Sequence, residues 1–213
     1  MHAQMDHVLI AQSTAVKMIK MLLLGNTNVG KTSMLHFFHR GKSLDNPLAT
    51  IGIDFIPVKD KNDRTFAHIW DTGGLERYKC INRHYYTGAN CVMIVYDVEH
   101  PTQNAYDQVQ PWYDDLVDMC GVEAVQKIPI FVVGNKAEKL AKTQQMCASL
   151  KPLVERKNQR FKHMFTSART GKNIQIAFSS LLCASQQTQN SPLVNVRTRV
   201  EVKQNTPVIH CCY

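Results

Sequence analysis

The sequence predicts an α/β fold: a mixed, mainly parallel, six-stranded sheet with helices on both faces. Short segments rich in branched and aromatic residues alternate with helix-length segments along most of the chain. This alternation is typical of parallel sheets covered by helices. The near-continuous apolarity of residues 91–96 and 129–133 indicates central strands that are buried on both faces.

The elements follow one another in a regular order. The predicted strands are 17–25, 51–59, 64–71, 90–97, 128–135 and 161–168. The predicted helices follow Lys31 and cover 101–120, 139–150 and 174–185. The second and third strands are joined only by the turn at 60–63, which is too short for a crossover helix. These two strands should therefore form an antiparallel hairpin in an otherwise parallel sheet.

One domain, residues 17–185, accounts for all of these elements. A chain of 213 residues suffices for one well-buried domain with extensions at its ends. Residues 1–16 form an N-terminal extension of unknown order. Residues 186–213 are rich in Gln, Asn, Thr and Pro and predict a flexible tail. No apolar run approaches the about 18 residues of a membrane span, and no signal-peptide pattern begins the chain, so we expect it in the cytosol.

Composition excludes several other classes of site. The net charge of +8 is spread along the chain, which indicates a solvated basic surface and no nucleic-acid partner. The seven cysteines are scattered and never spaced as Cys-x-x-Cys, which argues against a disulfide framework or a zinc site. The dispersed histidines suit ordinary surface or packing roles. The chemistry must therefore come from other residues.

The segment GNTNVGKT, residues 25–32, matches the phosphate-loop pattern G-x-x-x-x-G-K-[ST]. It follows a predicted strand and opens a predicted helix, as this motif requires. Its backbone amides can surround phosphates, Lys31 can reach the terminal ones, and Thr32 can offer its hydroxyl to magnesium. We call these eight residues the phosphate loop.

A second element lies at the end of the third predicted strand. Asp71 supplies an acidic group for a metal shell, and Gly74 supplies a bare backbone amide for a terminal phosphate. Two further segments, GNKAE at 134–138 and TSART at 166–170, also follow predicted strands. The carboxyl ends of such strands are where ligands bind in open α/β sheets.

Together with ATIGIDF at 49–55 and WDTGGLERY at 70–78, these motifs resemble a small GTPase of the Ras superfamily, with the P-loop NTPase G domain as its fold. The segments IGIDF and HYYTGAN, at 51–55 and 84–90, are most similar to the Rab branch. The resemblance covers about residues 17–185, with the motifs in the family's order and spacing.

The resemblance implies a bound GTP or GDP with Mg²⁺. The implied nucleotide-binding residues are Asn26, Thr27, Asn28, Val29, Gly30, Lys31, Thr32, Ser33, Thr50, Gly74, Asn135, Lys136, Glu138, Ser167, Ala168 and Arg169. The implied catalytic positions are Lys31, Thr50, Gly74 and Leu75. Thr32 and Thr50 would ligate magnesium, and Asp71 would support it through water. Asn135 would contact the guanine ring, Lys136 would lie along it, and the backbone at 167–168 would read the carbonyl oxygen.

Two segments, 43–51 and 72–86, would be the switches of such a protein. The γ-phosphate would order them through Thr50 and Gly74, and hydrolysis would release them. Through these switches the resemblance implies an exchange factor, a GTPase-activating protein and effectors as partners of a monomeric chain.

The sequence departs from the family at the position that orients the attacking water. Leu75 stands where the family has glutamine, and its isobutyl group can neither donate nor accept a hydrogen bond. One interpretation is slow intrinsic hydrolysis and a bias towards the GTP form. The other is that a different residue, or a glutamine of a partner, takes over.

Further departures surround the base. Glu138 replaces an aspartate and adds one methylene, which predicts altered geometry and lower guanine affinity. Ser43 replaces an aromatic residue that covers the base, which predicts faster nucleotide exchange. Phe37 and Phe38 are expected in the core rather than as its substitute. The side chain of Thr27 stands where a partner's arginine finger would approach, which would blunt assisted hydrolysis.

The chain ends in Cys211, Cys212 and Tyr213. A cysteine pair close to the end of a polar tail resembles the doubly prenylated end of Rab proteins, although Tyr213 departs from it. Lipidation predicts the cytosolic face of an intracellular membrane, with cycling through the cytosol. The alternative is a pair of unmodified thiols.

These observations favour a Rab-like switch in membrane traffic that hydrolyses GTP slowly and recruits effectors in its GTP state. A competing hypothesis is a non-hydrolysing pseudo-GTPase that serves as a binding or scaffold module, with Leu75, Glu138 and Ser43 as marks of lost catalysis. A soluble transport GTPase is a third possibility, against which the Cys211–Cys212 ending argues.

Overall fold

The computed structural model describes residues 18–44, 53–72, 83–138, 148–151, 153 and 161–188. The strands are β1 (Ile19–Leu24), β2 (Ile53–Lys59), β3 (Thr65–Thr72), β4 (Cys91–Asp97), β5 (Ile130–Asn135) and β6 (Phe161–Phe165). The helices are α1 (Lys31–Arg40), α2 (Arg83–Tyr86), α3 (Ala105–Cys120), α4 (Val122–Lys127) and α5 (Ile174–Thr188). Most of the predicted helix at 139–150 lies outside the described residues. Residues 148–151, which are described, are helical.

The strands form one sheet in the order β2-β3-β1-β4-β5-β6. Only β2 and β3 pair antiparallel, and every other neighbouring pair is parallel. The hairpin turn is closed by Asp60, whose Oδ1 accepts from the backbone N–H groups of Asn62 and Arg64. The predicted α/β class, the mixed sheet and the hairpin are thus confirmed.

Each face of the sheet carries its own hydrophobic core. On one face Met21 and Leu23 of β1 pack with buried residues of α1 and α5. On the other face Leu22 and Leu24 pack with buried residues of α3 and α4. Successive residues of a strand point to opposite faces, so β1 supplies both cores in turn. Helices therefore lie on both faces, as the sequence predicts.

The direction of winding reverses at β1, which lies between β3 and β4. Parallel strands on either side of such a point leave a crevice beyond their carboxyl ends. The register places Leu23 beside Asp71 and Asp97 beside Asn135. The loop after β1, the end of β3 and the motif after β5 therefore share one edge of the sheet.

The last helix extends beyond the predicted end of the domain at residue 185. It continues to Thr188, and both Ser185 and Gln186 are buried. Ser185 donates its hydroxyl to the carbonyl oxygen of Asn90 at 3.4 Å. Tertiary packing holds this polar turn in the helix, although its sequence lacks apolar periodicity. The predicted extension 1–16 lies outside the described residues, as does the tail from residue 189 onwards.

Two short helices were absent from the prediction. Helix α4 follows Gly121, whose φ of 81° ends α3 and separates the two helices. Helix α2 lies within the predicted second switch segment. Among the described residues, no helix combines the length and the apolar character needed to cross a membrane.

Candidate functional site

The phosphate loop begins directly after β1 and ends at the start of α1. Its first residue, Gly25, has a φ of +141°, and a Cβ there would lie well inside van der Waals contact with the carbonyl oxygen of Val95. Gly30 precedes α1 with a φ of 93° and accepts the helical hydrogen bond from Met34. The first N–H groups of a helix have no intrahelical acceptor, and the dipole gives this end positive character. The loop is therefore placed to bind an anion.

Lys31 lies inside this loop, with only 4% of its surface exposed. Its Nζ donates to the carbonyl oxygens of Gly25 at 2.6 Å and Asn26 at 2.9 Å. A buried ammonium requires such partners, because desolvation of a charge is costly. The ammonium group of Lys31, which is predicted to bind the phosphates, thus lies at the centre of the loop.

Thr32 and Asp71 meet between α1 and β3. The Thr32 hydroxyl donates to Oδ2 of Asp71 at 2.5 Å. The other carboxylate oxygen, Oδ1, is buried and has no hydrogen-bond partner among the described residues. Burial raises the pKa of Asp71, while the Thr32 hydrogen bond and the Lys31 charge oppose that rise. A hydroxyl and a carboxylate oxygen that lacks a partner fit Mg²⁺, which binds oxygen ligands together with water.

Asn135, at the end of β5, connects the phosphate loop to the segment after β6. Its Nδ2 donates to the carbonyl oxygen of Val29 at 2.8 Å. Its Oδ1 accepts from the backbone N–H of Ala168 at 3.0 Å. The side chain is buried and spans 106 residues of sequence to Val29. One amide therefore fixes the phosphate loop relative to residues 134–138 and 166–170, which we call the base motif.

The rest of the base motif lies beside Asn135. Ser167 donates its hydroxyl to Oε1 of Glu138 at 2.5 Å and accepts from the N–H of Thr170 at 3.0 Å. Lys136 has a φ of 64°, and its Nζ lies 2.8 Å from Oδ2 of Asp97. The extra methylene of Glu138 thus still permits a carboxylate contact with the 166–170 segment.

The remaining predicted positions differ in their surroundings. Thr27 and Asn28 are exposed at the apex of the phosphate loop, Ser33 is half-buried in α1, and Arg169 is exposed. Phe37 and Phe38 pack against the core, and Phe38 stacks on Phe178 at 4.6 Å between ring centroids, which confirms their predicted packing role. Thr50, Gly74 and Leu75 lie outside the described residues, as do Cys211 and Cys212.

An aromatic surface that was not predicted from the sequence lies beside the predicted switch segments. Phe55 of β2 is 49% exposed and stacks on Trp70 of β3 at 5.3 Å between centroids. Tyr85 of α2 lies 6.2 Å from Trp70, and the Lys20 ammonium lies 4.8 Å from the Trp70 ring. We call Phe55, Trp70 and Tyr85 the aromatic surface. The direct pairing of positions 55 and 70 across the predicted hairpin was the signal that could have revealed it.

The family model described as the Ras family matches residues 20–187. This chain belongs to the Ras family. The Ras-family match includes the phosphate loop, Asp71, the 134–138 motif and the 166–170 motif. The predicted family is therefore confirmed.

Curated relatives place this Ras-family chain in the Rab-like branch. It is 36% identical over 170 residues to Ras-related protein Rab11B of Nicotiana tabacum, covering 78% of this chain and 73% of that protein. It is 33% identical over 184 residues to Ras-related protein Rab-15 of Bos taurus, covering 85% and 83%. It is 32% identical over 169 residues to Ras-related protein Rab7 of Drosophila melanogaster, covering 76% and 77%. The chain is a Rab-like small GTPase.

Proposed function

We propose that this Rab-like small GTPase is a GTP-dependent switch in membrane traffic that hydrolyses GTP slowly and recruits effectors in its GTP state. The observation that carries the proposal is the position of Asn135, which joins Val29 of the phosphate loop to Ala168 of the base motif. This arrangement supports binding of one ligand that has both phosphates and a base.

The phosphate half of the site consists of Lys31 and the backbone amides of residues 26–33. Lys31 would exchange its contacts with Gly25 and Asn26 for phosphate oxygens, or share them. Thr32, Asp71 and Thr50 would hold Mg²⁺, which neutralises phosphate charge when bound. Of these three, Thr32 and Asp71 already form one cluster in the described structure.

The base half of the site consists of Asn135, Lys136, Glu138 and the 167–169 segment. Glu138 would accept hydrogen bonds from guanine, and its existing bond to Ser167 orients the carboxylate. A bond between these side chains leaves fewer rotamers to be fixed when a ligand binds. Guanine recognition through a glutamate is thus compatible with the geometry.

The proposed switches, 43–51 and 72–86, border the aromatic surface. β2 begins at Ile53, directly after the first switch, and β3 ends at Thr72, where the second one begins. Rearrangement of either segment would therefore reach Phe55, Trp70 or Tyr85. An exposed phenylalanine beside two half-buried aromatic rings and a lysine suits a protein interface. We assign effector recognition to this surface in the GTP state.

Leu75→Gln is expected to raise single-turnover hydrolysis of GTP at least several-fold. The glutamine amide can orient the attacking water, which the leucine side chain cannot do. Phosphate release from a preloaded chain measures the rate. Leu75→Met is the matched control, because it retains size and apolar character. An unchanged rate in Leu75→Gln would remove Leu75 as the cause of slow turnover.

The same measurement on the unmodified chain separates the switch from its competitor. Slow but measurable phosphate release is expected for the switch. A chain that binds GTP and releases no phosphate, with or without glutamine at position 75, would instead be the non-hydrolysing binding module.

Glu138→Asp is expected to tighten GDP binding by up to about tenfold. The shorter side chain would restore the family's distance to guanine, and a typical hydrogen bond contributes about 0.5 to 1.5 kcal/mol, which corresponds to at most about tenfold in affinity. Titration with a fluorescent GDP analogue measures the change. Glu123→Asp, which shortens an exposed carboxylate on α4, is the control. Equal affinities in all three proteins would show that the extra methylene is harmless.

Cys211 and Cys212 are proposed as prenylation sites that attach the chain to the cytosolic face of an intracellular membrane. Two lipid chains give stable attachment, whereas a single chain gives reversible binding. The intact mass of the full chain from a eukaryotic host is expected to show two added isoprenoids. A mass that corresponds to the unmodified sequence would withdraw the membrane role and leave the nucleotide site unaffected.

A further inference from the structure

The phosphate loop has a second side-chain attachment, at its second residue, Asn26. The indole Nε1–H of Trp112 donates to Oδ1 of Asn26 at 2.7 Å, across 86 residues of sequence. Trp112 lies in α3, is only 7% exposed and packs in the core beneath β4. A long-range bond from a ring held by core packing restrains the residue that accepts it.

Asn26 is the first loop residue whose side chain can be restrained in this way. Gly25, directly before it, has no side chain and lies against the carbonyl of Val95. At the other end of the loop, Asn135 donates to the carbonyl oxygen of Val29 at 2.8 Å. The loop is thus attached to α3 at its start and to β5 at its end, with Thr27 and Asn28 between the two attachments.

The backbone carbonyl of Asn26 also contacts the ammonium group of Lys31. It accepts from Lys31 Nζ at 2.9 Å, while the side chain of the same residue accepts from Trp112. A shift of Asn26 would therefore move a carbonyl partner of the ammonium. Catalytic and binding geometry is sensitive to displacements of about 1 Å.

We propose that Trp112 is a positioning residue of the nucleotide site: through its indole N–H it holds Asn26, and through Asn26 it fixes the phosphate loop around the nucleotide's phosphates. This inference rests on the proposed nucleotide-binding function. It predicts that loss of the bond accelerates nucleotide release.

Helix α3 supports this role with a second buried side chain on the same face. Gln108 lies one helical turn before Trp112 and bonds to both the backbone N–H and the carbonyl of Asp97, each at 3.0 Å. Asp97 in turn contacts Lys136 of the base motif at 2.8 Å. One face of α3 is therefore connected to both halves of the site, which explains how a helix outside the binding motifs can control release.

The test compares the release of a fluorescent GDP analogue from the full chain and four variants. Trp112→Phe retains an aromatic ring and removes the donor, whereas Asn26→Ala removes the acceptor and retains the backbone carbonyl. Each is expected to accelerate release by about five- to tenfold, since a buried hydrogen bond without its partner has an effect of this size. The double variant Trp112→Phe, Asn26→Ala should match the single variants, because both remove the same bond. Tyr106→Phe, which removes a hydroxyl from the same helix, should release at the unmodified rate.

A spectroscopic measurement separates positioning from general packing. The indole N–H resonance of Trp112, identified by its absence in Trp112→Phe, is expected to shift in Asn26→Ala and on addition of GDP. If Trp112→Phe does not fold, the resonance is identified by its presence in Trp70→Phe, which removes the other of the chain's two tryptophans, and Asn26→Ala carries both measurements. An unshifted resonance, an unmodified release rate in Asn26→Ala, or additive effects in the double variant would each overturn the inference while leaving the proposed function intact. An unmodified chain that binds no guanine nucleotide would overturn both.

Discussion

Lys31→Ala is expected to weaken binding of guanine nucleotide by at least about a hundredfold. Hydrogen bonds to charged groups contribute about 1.5 to 3 kcal/mol each, and Lys31 would make at least two such bonds to phosphates. A loss of about 3 kcal/mol corresponds to about a hundredfold in affinity. The described structure supports this size of effect, because the ammonium is buried at the centre of the phosphate loop.

The matched control for Lys31→Ala is Lys59→Ala. Lys59 lies at the end of β2 and forms an exposed ion pair with Asp63 at 2.9 Å. Exposed pairs contribute about 0 to 1 kcal/mol to stability, so this variant should bind nucleotide as the unmodified chain does. Titration of nucleotide-free protein measures both. Similar affinities for Lys31→Ala and the unmodified chain would mean that the loop does not hold phosphates.

Gly25→Ala is expected to lower the free energy of unfolding by about 2 to 6 kcal/mol. A side chain at a φ of +141° is strained, which costs about 1 to 3 kcal/mol. Its Cβ would also clash with the carbonyl oxygen of Val95, a backbone atom within the sheet that cannot rotate away, and overpacking adds about 1 to 3 kcal/mol. Urea denaturation measures the change, and nucleotide binding should fall with it because the loop must move.

Gly41→Ala separates these two contributions. Gly41 ends α1 with a φ of 70°, and a Cβ there would meet no atom within 4 Å. Only backbone strain should remain, which costs about 1 to 2 kcal/mol. If Gly25→Ala were no more destabilising than Gly41→Ala, the close approach of the loop to β4 would not constrain the phosphate loop.

The fold was predictable because the hydrophobic pattern of each segment and the lengths of the links between segments indicate the same architecture. The run 91–96 is apolar throughout, and β4 is buried on both faces. The short link at 60–63 permitted only a hairpin, and β2 and β3 pair antiparallel. The predicted strand 161–168 was too long, since β6 ends at Phe165. Residues 166–168 leave the sheet because the Ala168 N–H and the Thr166 hydroxyl bond to Asn135.

The motifs of the site were predictable because few protein families share their residue types and spacings. The long-range contacts that hold these motifs in place were not predictable. Nothing in the sequence around Trp112 indicates that its indole reaches Asn26, since the contact depends on how α3 crosses the sheet. The extension of α5 to Thr188 depends on burial of Ser185 and Gln186, which are ordinary tail residues by composition. Long-range contacts of this kind follow from tertiary packing and leave no local pattern.

Calorimetric titration of the nucleotide-free chain with GDP, with and without Mg²⁺, tests whether this site binds a guanine nucleotide together with magnesium. We expect one bound GDP per chain and an affinity that falls at least about tenfold when magnesium is chelated, since Thr32 and Asp71 would lose the ion that links them to the phosphates. No measurable affinity for guanosine polyphosphates, or an affinity that does not depend on magnesium, would show that the proposed nucleotide site is wrong.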